Sequence, residues 1–162
     1  MLRRTCSTLI ALLAAVILGT AAAPAALAAA PAADAPAVQP AQVRPDLNGL
    51  RVKGVNSPAV YLILDGKRRH IPNPATYNNL FRDWNGIQSV LDVNAVDDGG
   101  PLSDGAILGK SPSGPEVYLI SNGIKRWITS PAAMDKYYFA WNKIVTISPV
   151  ALYSIPTGPS IS

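Results

Sequence analysis

The chain is poor in the residues that carry most protein chemistry. Among its 162 residues there is one cysteine, Cys6, and one histidine, His70. Cys6 lies before an apolar N-terminal run, so removal of a leader would leave no thiol. A chain without thiols forms no disulfides, thiol nucleophiles or cysteine-ligated zinc sites. Stability must then come from the burial of apolar side chains.

Charge is scarce and nearly balanced. Two of the 14 basic residues, Arg3 and Arg4, lie in the leader, which leaves 12 against ten acidic residues after position 28. A net charge of about +2 is too small to favour nucleic acid as a partner.

The N-terminus has the pattern of a secretory signal. Arg3 and Arg4 precede the apolar run Leu9–Leu18, and Ala26-Leu27-Ala28 forms a cleavage site, so residues 1–28 are predicted to be a signal peptide. The run is too short to span a bilayer, which takes about 20 apolar residues. We therefore expect a secreted protein, extracellular or associated with the cell wall, with no transmembrane segment after cleavage. Residues 29–46 are rich in alanine and proline, which predicts a disordered, extended tether.

One stretch of the chain occurs twice. Residues 60–92 align without a gap on residues 117–149, at an offset of 57, and 12 of the 33 pairs are identical. We assign repeat copy one to residues 47–105 and copy two to residues 106–162. A duplicated unit offers two similar surfaces, which suits binding or scaffolding better than a single catalytic centre.

Each copy predicts a β-hairpin. The pairs Asp65-Gly66 and Asn122-Gly123 lie between β-branched and aromatic runs and suit a type I′ turn, in which both residues have positive φ. Gly66 and Gly123 are therefore structural residues. A two-residue loop also fixes the register, so Tyr61 should face His70 and Tyr118 should face Trp127.

A short helix should follow each hairpin. Asn73-Pro74 and Ser130-Pro131 combine an N-cap side chain with proline at the first helical position. The helices are expected to run to Phe81 and Tyr138.

Short strands should flank each hairpin and helix. We expect one before each hairpin, at Leu50–Lys53 and Ile107–Lys110, and one ending at Leu91 and Ile147, followed by a turn of helix. The predicted class is α+β, with two tandem repeats packed as one small domain, because half of the folded region would be marginal alone.

The exits of the two copies differ in the sequence. Ile155-Pro156-Thr157-Gly158 resembles Leu102-Ser103-Asp104-Gly105, but at an offset of 53. This alignment predicts four extra residues in copy one, around Asp97–Pro101, that form a surface loop.

The pattern V-Y-L-I-x-x-G-x-[KR]-R-x-I, followed by a proline-initiated helix and W-N, resembles a repeat of secreted bacterial proteins. The resemblance covers nearly all of residues 47–162. It implies an exported accessory module and no established activity, so it brings no catalytic residues.

The repeated aromatic and basic residues have two interpretations. Trp84 and Trp141 are predicted to be buried anchors between helix and hairpin, with Arg69 and Arg126 lying against them as structural residues. Four other residues form the candidate ligand surface, for cell-wall glycan or an anionic envelope polymer: Arg68, His70, Lys125 and Trp127.

Catalysis and metal binding have weaker support. His70 corresponds to Trp127, and a position that accepts tryptophan favours packing over proton transfer. Five oxygen-bearing residues crowd one segment without the spacing of an EF-hand, so we predict no metal and no cofactor: Asp92, Asn94, Asp97, Asp98 and Asp104.

The sequence thus predicts a secreted, non-catalytic binding or structural module at the cell envelope or outside it. The alternative is a secreted enzyme or enzyme inhibitor that acts through the loop Asp97–Asp104. Symmetry separates the two hypotheses, because binding should use equivalent residues of both copies and catalysis or inhibition should use residues of one.

Overall fold

A computed structural model describes residues 40–162. The predicted signal peptide and the tether up to residue 39 lie outside the described residues. Copy one contributes β1 (Arg51–Gly54), β2 (Val60–Leu64), β3 (Lys67–His70), α1 (Pro74–Leu80) and β4 (Gln88–Val90). Copy two contributes β5 (Ile107–Lys110), β6 (Val117–Ser121), β7 (Ile124–Ile128), α2 (Pro131–Lys136), β8 (Val145–Thr146) and α3 (Pro149–Ser154). Turns of 3-10 helix lie at Pro45–Leu47, Val93–Ala95 and Trp141–Lys143.

Each copy forms a four-stranded sheet, and the two sheets have the same strand order. The orders are β3-β2-β1-β4 and β7-β6-β5-β8. The first three strands of each sheet are antiparallel, whereas β4 and β8 pair in parallel with β1 and β5. The predicted α+β class is confirmed.

The hairpin register is also confirmed. Tyr61 pairs with His70, and Tyr118 pairs with Trp127. The turn residues Asp65 and Gly66 have φ of 58° and 71°, and Asn122 and Gly123 have 53° and 71°. Both turns therefore use the left-handed region that Asp-Gly and Asn-Gly pairs tolerate best.

The helices begin where the sequence places them. Asn73 accepts a hydrogen bond from the Thr76 backbone, and Ser130 accepts one from the Ala133 backbone. The second helix ends at Lys136, two residues before the predicted end, because Tyr138 has φ of 58° and leaves the helical conformation.

One apolar core joins the two copies. Its fully buried members come from both sheets, from α1 and α2 and from the segments that follow these helices, and they include Leu62, Tyr77, Phe81, Leu119, Tyr137 and Phe139. Phe81 and Phe139 stack with ring centroids 5.7 Å apart. The Ala140 backbone donates to the Leu80 carbonyl at 2.9 Å, so the copies also share backbone hydrogen bonds. The prediction of one small domain is confirmed.

The predicted end of the tether, at residue 46, is wrong. Gln42 pairs with Val96, and the Arg44 backbone donates to the Gly66 carbonyl at 2.7 Å. Asn48 accepts from the Gly66 backbone at 2.7 Å. Residues 42–46 are therefore part of the fold, because their backbone pairs with Val96 and with the first hairpin turn.

The predicted insertion in copy one is wrong as well. Gly99 donates to the Arg68 carbonyl, and Gly158 donates to the carbonyl of Lys125, the counterpart of Arg68. The backbone amides of Leu102 and Ile161 likewise donate to the backbone carbonyls of His70 and Trp127. We call these equivalent segments, Asp97–Leu102 and Pro156–Ile161, the edge straps, because each covers the outer edge of β3 or β7. The true offset at the exit is 59, and the two extra residues lie in copy two, where α3 replaces a single 3-10 turn.

No helix within residues 40–162 has the length and apolarity needed to cross a membrane.

Candidate functional site

Two clefts of nearly equal size lie at equivalent places in the two copies. Cleft one has a volume of 340 Å³ and cleft two a volume of 360 Å³. Ten residues line each cleft, and every residue of cleft one has its counterpart in cleft two at the offset of 57. The two copies therefore share a concave surface as well as a strand order.

The same parts of each copy line its cleft. They are the start of the first hairpin strand (β2 or β6), the end of the second hairpin strand (β3 or β7) and the first turn of the helix. The tryptophan that follows the helix completes the lining. In copy one these parts are Val60, His70, Ile71, Pro74, Tyr77 and Trp84. In copy two they are Val117, Trp127, Ile128, Pro131, Met134 and Trp141.

In cleft one an aromatic stack holds the tryptophan in place. The Trp84 ring lies on the Tyr77 ring with centroids 3.9 Å apart and an angle of 21°. The Trp84 indole Nε1 donates to the Asn78 side chain at 2.9 Å, which fixes the ring orientation. A rigid aromatic wall of this kind loses little conformational entropy when a ligand binds.

The base of this stack is a buried guanidinium. Arg51 donates to the Tyr77 hydroxyl at 2.5 Å and to the Asn85 carbonyl at 2.7 Å, and its guanidinium lies 3.9 Å from the Tyr138 ring centroid. Burial raises the pKa of Tyr77, and the charge of Arg51 partly offsets that rise. Tyr77 therefore stays neutral and presents a fixed ring to the cleft.

Cleft two has two tryptophans and carries a carboxylate. Trp127 replaces His70, Met134 replaces Tyr77, and Glu116 replaces Ala59. Trp127 and Trp141 are 42% and 47% exposed. Two half-exposed indoles and a flexible thioether give this cleft a larger apolar surface with a charge at its rim.

The prediction that Trp84 and Trp141 are buried anchors is wrong. Trp84 is 46% exposed, and Trp141 is exposed to the same degree. Tyr77, Phe81, Tyr137 and Phe139 fill the core instead, because the helix and the segment after it turn these rings inward. About half of the surface of each tryptophan is exposed.

The predicted contacts of the repeated arginines with these tryptophans are also wrong. Arg126 donates to Asp65 at 2.7 and 2.8 Å and to the Pro159 carbonyl at 2.7 Å. Arg69 donates to the Gly99 carbonyl at 2.5 Å. The partners of both arginines are the first hairpin turn and the edge straps.

Two of the four candidate ligand residues have internal partners. Lys125 is only 5% exposed, and its Nζ donates to the carbonyls of Leu152 and Ile155 at 2.7 and 2.9 Å. Arg68 donates to the Val96 carbonyl and to Asn94, and it lies 3.6 Å from Asp98. Arg68 thus binds the 3-10 turn at Val93–Ala95, and Lys125 binds α3. The predicted basic surface for a ligand is therefore not formed.

The other two candidates, His70 and Trp127, lie in the clefts at equivalent positions. The tryptophans that sequence reasoning assigned to the core belong to the clefts as well. The sequence places a tryptophan after the helix in both copies, but this position does not distinguish a buried ring from a cleft wall.

Three of the clustered acidic residues of copy one have structural partners. Asp92 accepts from the Asn94 backbone, and Asp98 accepts from the Gly100 backbone. Asp104 accepts from Asn73 and Thr76, and these hydrogen bonds hold its pKa below the ordinary range. Within residues 40–162 no group of three or more His, Cys, Asp or Glu residues could hold a metal ion.

No protein-family model, curated protein or solved structure matches this chain. The resemblance to a repeat of secreted proteins therefore stays a prediction.

Proposed function

We propose that this protein is a secreted, non-catalytic binding module whose two clefts each hold a sugar ring of a cell-envelope glycan. The observation that supports the proposal best is the one-to-one correspondence of the ten lining residues of each cleft. Five of the ten pairs are identical, including Trp84/Trp141, Ile71/Ile128 and Pro74/Pro131. Binding through equivalent residues of both copies is what symmetry predicts for a binding module.

The chemistry of the cleft walls favours a ring with one apolar face. A pyranose ring presents C–H groups on its faces and hydroxyl groups at its edge. An indole offers a flat apolar face of matching size, and its π-system attracts the weakly positive C–H groups. Clefts that are mostly apolar, with a few polar groups at the rim, are typical small-ligand sites.

The two clefts also argue against a catalytic centre. His70 is the candidate proton-transfer residue of cleft one, and Trp127, whose indole cannot act as a general base, occupies its place in cleft two. The alternative hypothesis, a secreted enzyme or enzyme inhibitor, requires a loop that only one copy has. Because Asp97–Leu102 has a counterpart in Pro156–Ile161, this loop does not distinguish copy one from copy two.

An anionic polymer is a weaker candidate than a glycan. The cations that would have attracted it, Arg68 and Lys125, donate to internal carbonyl groups. Stacking on Trp84, Trp127 and Trp141 does not depend on these charges. We therefore expect the binding of uncharged glycans to change little between low and physiological salt.

Tryptophan fluorescence gives a direct test. The chain has three tryptophans, and all three line the clefts. Titration of the purified protein with cell-wall glycan fragments and with glucose, N-acetylglucosamine and glucosamine oligosaccharides should shift the emission of these residues. Calorimetry on Trp84→Ala and on Trp127→Ala should show binding to the altered cleft weakened at least about fivefold, the effect of losing one aromatic contact.

Two exposed apolar residues outside the clefts provide controls. Leu91 is 91% exposed and Tyr153 is 65% exposed. Leu91→Ala and Tyr153→Ala should bind like the unaltered protein. Emission unchanged by every glycan, or binding lost equally in the control variants, would overturn the proposal.

A further inference from the structure

The two clefts share a shape but differ in charge at one matched position. Glu116 lines cleft two, and its counterpart in cleft one is Ala59. Glu116 is exposed and takes part in none of the ion pairs found among residues 40–162. Its carboxylate is therefore available to a ligand that occupies cleft two.

The surroundings of this carboxylate resemble a cation site. Trp127 and Trp141 line the same cleft with exposed aromatic surface, and aromatic faces attract organic cations. Met134 adds a polarizable thioether to the lining. Lys125 donates to two carbonyl groups and Arg126 pairs with Asp65. Lys110, which pairs with Val117 across the sheet, forms no ion pair with Glu116 among residues 40–162. Nothing in these contacts neutralises the carboxylate.

We propose that cleft two selects a sugar ring that carries a free amino group, whereas cleft one takes neutral rings. The ring would stack on an indole, as in cleft one, and its ammonium group would pair with the Glu116 carboxylate. Cleft one offers the same apolar walls, with alanine in place of the acid. This inference rests on the proposed function, since it names the ligand class of one of the two glycan clefts.

Each cleft can be measured separately through its own tryptophans. Trp84→Phe leaves emission from cleft two alone, and the double variant Trp127→Phe, Trp141→Phe leaves emission from Trp84 in cleft one. Matched probes are the glucosamine trisaccharide, with free amines, and the N-acetylglucosamine trisaccharide. The two probes share a backbone and differ in charge.

In Trp84→Phe the amine probe should bind about fivefold more tightly than the acetylated one at low salt, the upper end of what an exposed ion pair contributes. The preference should shrink as salt rises, because exposed charges are screened. Adding Glu116→Gln to Trp84→Phe should abolish the preference and retain binding of the acetylated probe. The double variant that reports on cleft one should show no preference.

Transfer of the acid is the reciprocal test. Ala59→Glu in the variant that retains only Trp84 should create a preference for the amine probe in cleft one. An equal affinity of cleft two for both probes, or a preference that survives Glu116→Gln, would overturn the inference while leaving the glycan function in place. Absence of binding by either probe and by every other glycan would instead remove the proposed function itself.

Discussion

Asp65, in the first hairpin turn, accepts two hydrogen bonds from the Arg126 guanidinium in the second repeat, at 2.7 and 2.8 Å. The turn residue of one copy thus fixes a strand of the other. Burial raises the pKa of Asp65, but the hydrogen bonds and charges of Arg126 and Arg69 outweigh it, so the pKa lies below the ordinary 3.8. A carboxyl group with a lowered pKa stabilises the fold above its unfolded pKa, and this contribution disappears as the pH falls through the folded value.

Asp65→Asn should therefore lower the free energy of unfolding at pH 7 and reduce its loss in acid. The Asp65 side chain is 41% exposed, so solvent screening limits the cost to about 1–2 kcal/mol. Urea titrations between pH 7 and pH 2 would measure both effects. Asp98→Asn removes a carboxylate that is 65% exposed and 3.6 Å from Arg68, and it should cost under about 0.5 kcal/mol. An identical acid dependence in Asp65→Asn and the unaltered protein would contradict this assignment.

Substitution of Trp141 and Phe139 should separate cleft walls from core. Phe139 is fully buried, so Phe139→Ala should lower the free energy of unfolding by about 3–5 kcal/mol. Trp141 is 47% exposed, so Trp141→Ala should cost less than about 2 kcal/mol, in proportion to the smaller area it buries. Denaturant unfolding of both variants checks the difference. Equal losses would return Trp141 to the core.

The edge straps require glycine where they cross the hairpin. A Cβ on Gly99 would lie 3.0 Å from the Lys67 Cβ and 3.2 Å from the Arg69 Cζ. Gly99→Ala should therefore destabilise the protein by about 1–2 kcal/mol. Gly54→Ala is the control, because its Cβ would meet the Ser57 Cβ at an ordinary 3.5 Å. Thermal unfolding should show a lower midpoint for the first variant only, and equal midpoints would show that the strap does not lie against β3.

Neither half of the folded region should fold alone. Residues 47–101 and 102–162 each contain part of the shared core, and separation would expose Phe81 and Phe139, which stack on each other. A unit of this size without disulfide or metal is marginal even with its core intact. Circular dichroism of each half should show no cooperative thermal transition. A half that unfolds at the full-length midpoint would contradict the single-core description.

The local elements could be predicted because their signals are local. A type I′ turn needs two residues with positive φ, and Asp65-Gly66 meets that need from the sequence alone. The N-caps Asn73 and Ser130 act within three residues of their own position. Predictions of this kind required no knowledge of which surfaces meet.

The long-range features could not be predicted in this way. Lys125 is buried because it meets the carbonyls of Leu152 and Ile155, and backbone acceptors leave no mark in a sequence. The edge straps pair through the backbone too, so a similarity between Ile155-Pro156 and Leu102-Ser103 suggested the wrong offset. The sequence does not distinguish a core position from a cleft wall for Trp84 and Trp141, because both environments favour the same residue type.

The edge straps also protect the outer strands from pairing with other copies of the protein. An uncovered outer strand offers a row of free amide and carbonyl groups that can template association between chains. In the second sheet the backbone of Gly158 and Ile161 occupies these groups on β7, next to the apolar strand VYLI of β6. Loss of the final seven residues would expose that edge, so a truncated chain would be prone to self-association through its second hairpin.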